Sequence, residues 1–405
     1  MTFGDWINVD GKLVLVEKCV RTIPYGFLAV LYGVYLAQLG FGGFLIGVTV
    51  SLMVLSSASY TFVMSFFADR VGRKKILIFF ALMDFVAGSL LYLSSAWWAP
   101  VLAGIVGNMS VGVGEVGPFL SVEQAILPQT CNSKNRTLAF SIYNLIGYAA
   151  SSLGALMAGI PEFLGGGIGA YRPLFAGYLA SGIAGSLLYA RLSKKIEVQT
   201  RPEQRRQVLS QKAKPVVEKL SALFAIDAFG GGFIVQVIIA YYFSIRFGLD
   251  LTTLGAIFSV TQIITALSFL ASPRLAKRIG LLRTMVFSHI PSNIFLTAIS
   301  FAPSAPLAVG LLFCRHSLSQ MDVPARQSYV MAVVDESDRT AAAGFTNVTR
   351  TVSQSISPSI AGYALANIWI GTPFFAAGTL KIAYDILIYH SFRKVRPPEE
   401  IKEPK

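Results

Sequence analysis

The chain has 405 residues, a formal charge of +13 at pH 7, and only 14% charged residues at a mean hydropathy of +0.60. A soluble domain carries about 25% charged residues, so this composition excludes a chain folded around a water-soluble core. The charge does not indicate a nucleic-acid partner either. The basic residues lie in short segments between long apolar runs, where anionic lipid head groups are the expected partner.

Twelve apolar runs follow one another along the chain, and each is close to the roughly 20 residues that a membrane-spanning helix needs. The segment before the first run, up to about Arg21, is polar and lacks the apolar core and cleavage site of a signal peptide. We therefore expect a cytoplasmic tail followed by a retained first span. The runs predict spans at about 22–40, 44–68, 76–95, 98–127, 137–159, 172–192, 219–243, 252–272, 284–301, 305–333, 340–366 and 372–391.

The basic residues predict the orientation of these spans. With the N-terminus inside, 28 of the 34 Lys and Arg residues lie in cytoplasmic segments, two lie in external loops and four lie within spans. Such a split favours a multi-pass protein of the cell membrane with both termini in the cytoplasm.

A polar stretch from about Ser193 to Lys219 predicts a linker between two halves of the chain. The alternative for its basic residues is a regulatory or lipid-sensing segment. The predicted domains are a first six-helix bundle at 1–192, a cytoplasmic linker at 193–218, a second six-helix bundle at 219–392 and a cytoplasmic tail at 393–405.

The two halves match in order, at an offset that drifts from about 208 to 200 residues. Gly26-Phe27 matches Gly232-Phe233, and Glu123-Gln124 faces Arg326-Gln327. Because six helices is an even number, both halves insert with the same orientation and form a parallel repeat about an axis along the membrane normal. We expect a substrate path between the halves.

The loop after the second run reads Asp-Arg-Val-Gly-Arg-Lys, from Asp69 through Arg70, Gly72 and Arg73 to Lys74. An acid at the helix end, a glycine for the tight turn and a basic cluster facing lipid phosphates explain its composition. At this position the motif resembles the signature of the major facilitator superfamily, and the resemblance covers the whole chain. It implies an all-α membrane fold of twelve helices in two pseudo-symmetric halves, working as a monomeric secondary transporter without a cofactor.

The resemblance also implies a gate on the cytoplasmic side. Asp69 would face the N-terminal end of helix eleven, where free backbone N–H groups favour an anion. Arg73 would pair with Glu123, and Arg326, which faces Glu123 in the repeat, is expected to act in gating. The alternative is an ion pair that only holds the loop in place.

Two departures from the family weaken a drug–proton antiport prediction. Asn108 stands where proton-driven members often carry an arginine on helix four, and helix five lacks the expected proline.

Charged side chains inside a membrane helix are expensive and indicate function by default. Among the candidates, Glu115 is the first choice for a proton site, followed by Asp322, and Arg315 or Arg350 could hold an anionic group. Mutual pairing is the alternative for each of them. The full substrate or proton-coupling set is Glu115, Arg315, His316, Asp322, Arg350 and two aromatic residues, Tyr35 and Tyr241, whose alternative role is helix packing.

Three other charged residues lie in spans expected at the periphery. Lys381 and Asp385 are spaced for mutual neutralisation on helix twelve. Asp84 on helix three has no partner that the sequence identifies.

These features favour a secondary transporter that moves a small organic solute or drug-like compound by alternating access, with the proton as a candidate coupling ion. The alternative is a transporter-fold sensor or receptor that binds a solute without moving it. No nucleophile–base pair, metal cluster or nucleotide-binding loop appears in the sequence, so an enzyme is not expected.

Overall fold

The computed structural model describes residues 6–109, 117–132, 135–197, 209–335 and 338–393. Within its helices it places the backbone alone at residues 65–70, 137, 269, 270, 272, 273, 277, 324, 328, 331 and 339–341. Most of the described residues are helical, and the β-structure among them is one isolated bridge between Ile7 and Cys131.

The helices of the first repeat account for the first six predicted spans. The described part of the fourth span contains two shorter helices, α4 and α5, with α4 ending before the non-helical residues 107–109, and a single turn, α7, lies between the fifth and sixth spans. The helices are α1 (Val9–Gln38), α2 (Gly43–Val71), α3 (Arg73–Leu93), α4 (Trp98–Val106), α5 (Pro118–Ile126), α6 (Arg136–Met157), α7 (Ile160–Phe163) and α8 (Arg172–Ala190).

The second repeat follows the same plan, with its seventh and tenth spans each divided into two helices. The fourth and tenth spans are equivalent in the repeat, so both halves interrupt the same helix. The helices are α9 (Lys214–Gly232), α10 (Gln236–Phe247), α11 (Leu251–Ile279), α12 (Leu281–Ile299), α13 (Ala305–Ser319), α14 (Asp322–Ala332), α15 (Arg339–Asn367) and α16 (Thr372–Phe392).

The first helix begins earlier than the sequence predicted. It starts at Val9, where the Asn8 side chain accepts a hydrogen bond from the backbone N–H of Gly11, and not near residue 22. The expected polar tail is therefore mostly helix, and it buries Glu17, Lys18 and Arg21. Hydropathy alone missed these turns because it counts each charge as solvated, whereas these charges are bonded inside the helix bundle.

The outward faces of the helices are apolar. Large side chains such as Phe44, Leu145, Leu153 and Leu267 are exposed on them. A water-soluble protein rarely exposes such a surface, whereas a bilayer covers it. By length and composition, six helical stretches of the described chain could each cross a membrane: Val9–Gln38, Gly43–Met64, Arg73–Leu93, Ile168–Ala190, Lys214–Phe247 and Leu251–Ser268.

Two glycines at equivalent positions of the repeat allow close helix crossings. A Cβ on Gly26 of α1 would overlap the carbonyl oxygen of Ser151 on α6. A Cβ on Gly232 of α9 would overlap the carbonyl oxygen of Gln354 and the hydroxyl of Ser357 on α15. The first and fifth spans therefore cross as closely as the seventh and eleventh, as expected of a repeated packing.

By their internal contacts the residues form two compact units. Unit one contains Met1–Arg201 and Val235–Gln262, and unit two contains Pro202–Ile234 and Ile263–Lys405. Within unit one, α10 packs on α1, and the hydroxyls of Ser152 and Ser259 lie 2.7 Å apart. These units divide the seventh and eighth spans, whereas the predicted bundles at 1–192 and 219–392 follow the repeat and stay a prediction.

Candidate functional site

A buried ion cluster, the Glu123 cluster, lies in unit one and comprises Glu17, Lys18, Arg21 and Glu123. Arg21 Nη2 lies 2.7 Å from Glu123 Oε2 and 3.2 Å from Glu17 Oε2. Lys18 Nζ lies 4.4 Å from the ring centre of Tyr143. Among the described side chains, two cations and two acids are thus held together, and their charges balance.

Tyrosine hydroxyls complete the environment of Glu123. Tyr143 Oη donates to Glu123 Oε2 at 2.7 Å, and Tyr189 Oη lies 2.8 Å from Glu123 Oε1. Glu123 was predicted to pair with Arg73. Its cationic partner among the described side chains is instead Arg21, because the early start of α1 brings that guanidinium to α5.

Arg73 lies at the N-terminus of α3, after Gly72, whose φ of +106° suits a residue without a Cβ. The guanidinium Nη1 donates to the carbonyl oxygens of Ala125, at 3.3 Å, and Ile196, at 3.4 Å. Glu197 accepts from the backbone N–H groups of Arg73 and Lys74, which is the favourable place for an anion at a helix N-terminus. The side chains of Asp69 and Arg70 lie outside the described residues, and the latch stays a prediction.

A second ion cluster, the Asp227 cluster, lies in unit two and comprises Asp227, Asp322, Arg326, Arg350 and Lys381. Asp227 Oδ1 lies 2.6 Å from Lys381 Nζ, and Asp227 Oδ2 lies 2.8 Å from Arg350 Nη1 and 3.2 Å from Arg326 Nη1. Arg326 also lies 3.1 Å from Asp322. Of the predicted set, Asp322, Arg326 and Arg350 are therefore brought together around an acid that the sequence analysis overlooked.

The expected pair of Lys381 and Asp385 is not formed. Lys381 turns to Asp227, while Asp385 lies 2.9 Å from His289 Nδ1 and accepts from Asn293 Nδ2 at 3.1 Å. Spacing along one helix predicted mutual neutralisation, but α9 and α12 supply closer partners.

The two clusters are related by the repeat, with their charges exchanged. Arg21 on α1 corresponds to Asp227 on α9, 206 residues later, and Glu123 on α5 corresponds to Arg326 on α14, 203 residues later. The sequence held a signal that could have identified Asp227. It is an acid inside an apolar run, and a base, Arg21, stands at the equivalent position of the other repeat.

Arg315 and His316 form no ion pair with the Asp227 cluster among the described residues, although the charge of Asp227 acts on Arg315. Arg315 Nη1 lies 3.2 Å from His316 Nε2, and His316 Nδ1 lies 3.2 Å from Thr265 Oγ1. A guanidinium cannot accept a hydrogen bond, so His316 Nε2 accepts and the imidazole carries its proton on Nδ1. Arg315 is 8% exposed, and its Nε has no hydrogen-bond partner among the described residues.

Asp84 on α3 has partners that the sequence did not identify. Its Oδ2 accepts from Tyr25 Oη at 2.9 Å, and its Oδ1 accepts from Tyr178 Oη at 2.8 Å and from the backbone N–H of Asn108 at 3.1 Å. Asn108 follows α4, and Ser57 Oγ donates to its Oδ1 at 3.0 Å. The partners of Asp84 are thus neutral.

The two aromatic candidates are packed between helices. The Tyr35 ring lies 4.9 Å from that of Tyr171 and 5.0 Å from that of Phe175. Tyr241 is buried against Gly33. Their place in a substrate site stays a prediction. Glu115, the first choice for a proton site, lies outside the described residues.

Comparison with known proteins gives the family. The family model of the Major Facilitator Superfamily matches residues 19–319 and 228–405. An uncharacterized membrane protein of Saccharomyces cerevisiae, YJR124C, is 24% identical over 94% of this chain and 93% of its own length.

Solved transporters share the fold. The nucleoside transporter NupG, in a point-mutant form, has a TM-score of 0.75 at 15% identity, over 95% of this chain and 99% of its own. The human organic anion transporter MFSD10 has a TM-score of 0.65 at 13% identity, over 93% of this chain and 98% of its own. These matches confirm the predicted twelve-span fold in two halves. The chain therefore belongs to the major facilitator superfamily, and it is a secondary transporter of that fold and not an enzyme.

Proposed function

We propose that the chain moves a small organic anion across the membrane by alternating access, and that Arg315 recognises the negative charge of the solute. The observation that carries this proposal is a buried guanidinium that no carboxylate within 4 Å neutralises among the described residues. The solved relatives do not indicate one substrate class, since one is named for nucleosides and another for organic anions.

The charge balance of unit two sets Arg315 apart from the other buried cations. Asp227, Asp322 and Asp385 are matched in number by Arg326, Arg350 and Lys381, and His289 bridges Asp385 to this group. Arg315 is the remaining positive charge among the described buried residues of these helices. A buried cation with no carboxylate in contact is costly, so an anion bound directly to Arg315 would be attracted to it even though Asp227 acts on it from a longer distance.

A second polar group lies next to Arg315 on the same helix. Ser319 is one turn further along α13, so its side chain shares a face with that of Arg315. Its buried hydroxyl, like Arg315 Nε, has no hydrogen-bond partner among the described residues. One carboxylate, sulfonate or phosphate group could accept from both, in the charge-assisted geometry that guanidinium groups favour.

His316 positions the guanidinium. By accepting from Arg315 Nη1 it fixes one edge of the group and leaves Nε for the solute. Thr265 in turn orients the imidazole from α11. The tautomer with a proton on Nδ1 is the one that suits this role.

The test compares matched anions and neutral analogues as ligands of the purified protein. We expect p-toluenesulfonate, succinate or AMP to raise the midpoint of thermal unfolding, and p-toluenesulfonamide, succinamide and adenosine to raise it less. Arg315→Gln should weaken the anion effect about 10-fold or more, the value of one lost charge-assisted hydrogen bond. Arg315→Lys should retain part of it.

Arg136→Gln, which removes an exposed arginine at the start of α6, is the matched control and should bind as the wild type does. Equal stabilisation by the neutral analogues, or full binding by Arg315→Gln, would contradict the proposal. Uptake of the stabilising anion into proteoliposomes then separates transport from sensing, because a sensor would bind the anion without flux.

A further inference from the structure

We infer that Asp84 binds a proton, and that its protonation changes how firmly the fourth span is held at the point where α4 ends. The inference goes beyond the proposed anion site, because Asp84 belongs to unit one and Arg315 belongs to unit two. Only its coupling to transport rests on the proposed function, whereas the binding of a proton does not.

The carboxylate takes the place of a helix carbonyl where α4 ends. The backbone N–H of Gly107 makes the last helical bond, to the carbonyl of Ala103 at 2.8 Å. The next N–H, that of Asn108, turns to Asp84 Oδ1 instead. Tyr60 Oη donates to the carbonyl oxygen of Ile105, which the interruption also frees. Polar side chains thus satisfy backbone that an unbroken helix would satisfy itself.

The partners of Asp84 can serve both of its protonation states. When the acid is ionised, the hydroxyls of Tyr25 and Tyr178 and the N–H of Asn108 all donate to it. When the acid is protonated, it must donate one bond, and a tyrosine hydroxyl can accept as well as donate. Reversal of the Tyr25 bond therefore leaves the protonated acid satisfied without rearrangement of the helices.

No described charge next to Asp84 fixes it in the ionised form by a direct ion pair. Arg21 of α1, a cation whose charge acts on Asp84, is itself bonded to Glu17 and Glu123. Helix α4 contributes no titratable side chain. The elements around Asp84 carry further titratable groups: Glu17, Lys18, Arg21, Tyr25 and Tyr32 of α1, Tyr60 of α2, Glu123 of α5, Arg172, Tyr178 and Tyr189 of α8, and Lys194 and Lys195 in the turn that follows α8.

Protonation would loosen the hold of α3 on Asn108. Hydrogen bonds to an ionised acceptor are about twice as strong as neutral ones. Neutralising Asp84 therefore weakens the bond to the Asn108 N–H, at a point where the buried Asn108 Nδ2 has no partner among the described residues. A proton taken up here changes how firmly the interrupted span is tied to α1, α3 and α8, which is a route from proton binding to a conformational step.

The first test measures proton binding without any solute. Infrared difference spectra of the protein in lipid nanodiscs, recorded between acid and neutral pH, should show the carbonyl band of a buried carboxylic acid. Asp84→Asn should remove that band and keep the unfolding midpoint near that of the wild type. The introduced amide can still accept from Tyr178 and Asn108 while donating to Tyr25.

Asp250→Asn is the matched control, because Asp250 is exposed in the loop before α11, where an asparagine can still cap the Thr253 N–H. It should leave the band unchanged. A band that persists in Asp84→Asn overturns the inference. If Asp84→Asn does not fold, Tyr178→Phe decides: loss of a donor to the ionised form should let the band persist to higher pH, and an unchanged band overturns the inference.

The second test measures coupling in proteoliposomes with radiolabelled p-toluenesulfonate. A pH gradient should drive accumulation by the wild type, whereas Asp84→Asn should lose accumulation and keep exchange at equal pH. Accumulation by Asp84→Asn, or a requirement for Na⁺ in place of the pH gradient, overturns the coupling. A titrating band in a wild type that binds no anion would refute the proposed function and leave the proton site standing.

Discussion

Asp84 in unit one and Asp227 in unit two are equally buried, at 2% exposure, but their partners differ in kind. Asp84 accepts from two hydroxyls and an amide, all neutral. Asp227 accepts from one ammonium and two guanidinium groups, none of which could accept a hydrogen bond from a protonated Asp227. The comparison teaches that the partners of a buried acid, more than its depth, decide whether it can change its charge.

A second contrast separates the two ion clusters. Arg21 and Glu123 in one repeat become Asp227 and Arg326 in the other, with base and acid exchanged between equivalent helices. What the repeat keeps is opposite charge across the same helix pair and not the identity of either residue. Both pairs join the first span of a repeat to its fourth span, α1 to α5 and α9 to α14.

The largest expected effect is that of Asp227→Asn. It leaves the buried Lys381 and the half-buried Arg326 and Arg350 without their shared acid. Breaking a buried ion pair by removing one partner costs about 3–5 kcal/mol. We expect a strongly lowered midpoint of thermal unfolding in detergent, while Asp84→Asn stays near the wild type. Equal losses for the two variants would remove the contrast between a fixed and a titrating acid.

Glu123→Gln should have a smaller effect, of about 1–3 kcal/mol, since Arg21 keeps Glu17 as a partner. The measurement is again the unfolding midpoint, with Gln124→Ala as a control at the exposed neighbouring position. A loss of stability as large as that of Asp227→Asn would mean that Glu17 does not compensate Arg21 for the loss of Glu123.

Arg315→Gln should not lower the midpoint at all, and it should raise the midpoint if relief of an uncompensated buried charge outweighs lost packing. Its effect should appear in the binding of anions. The comparison variant is Arg326→Gln. Native Arg326 is bonded to Asp227 and Asp322, so its loss should destabilise the protein. A drop for Arg315→Gln that matches Arg326→Gln would place Arg315 among the structural ions.

The smallest expected effect concerns the loop before α15. Hydrogen bonds from the backbone N–H and hydroxyl of Ser210 lower the pKa of Asp338 below its usual range. A lowered folded-state pKa stabilises the fold at neutral pH, and that stabilisation is lost as the pH falls through the lowered value. Asp338→Asn should therefore lower the unfolding midpoint slightly at neutral pH and not at acid pH.

Asp335→Asn, three residues earlier and exposed beside Lys212, provides the control for this loop. The difference between its unfolding midpoint and that of the wild type should not disappear at acid pH. A difference for Asp338→Asn that is constant with pH would exclude the ionised carboxylate as its cause.

The site was only partly predictable from the sequence. Arg315 and Arg350 were equal candidates for an anion, and they separate only because Asp227 neutralises Arg350. Asp84 had no identifiable partner because Tyr25, Tyr178 and Asn108 come from three different spans. The Lys381–Asp385 pair followed from helical spacing, and it failed because neighbouring helices offered shorter bonds.

The sequence by itself determined the twelve spans, the parallel repeat and the family loop at Asp69–Lys74. These are local properties: hydropathy needs about 20 neighbouring residues, and a motif needs only its own spacing. The tertiary structure alone decided which charges pair. Arg21 meets Glu123 across 102 residues, and Lys381 meets Asp227 across 154 residues. Such partners are chosen by helix packing, because in a medium without water a buried charge is stable only beside the groups that packing brings to it.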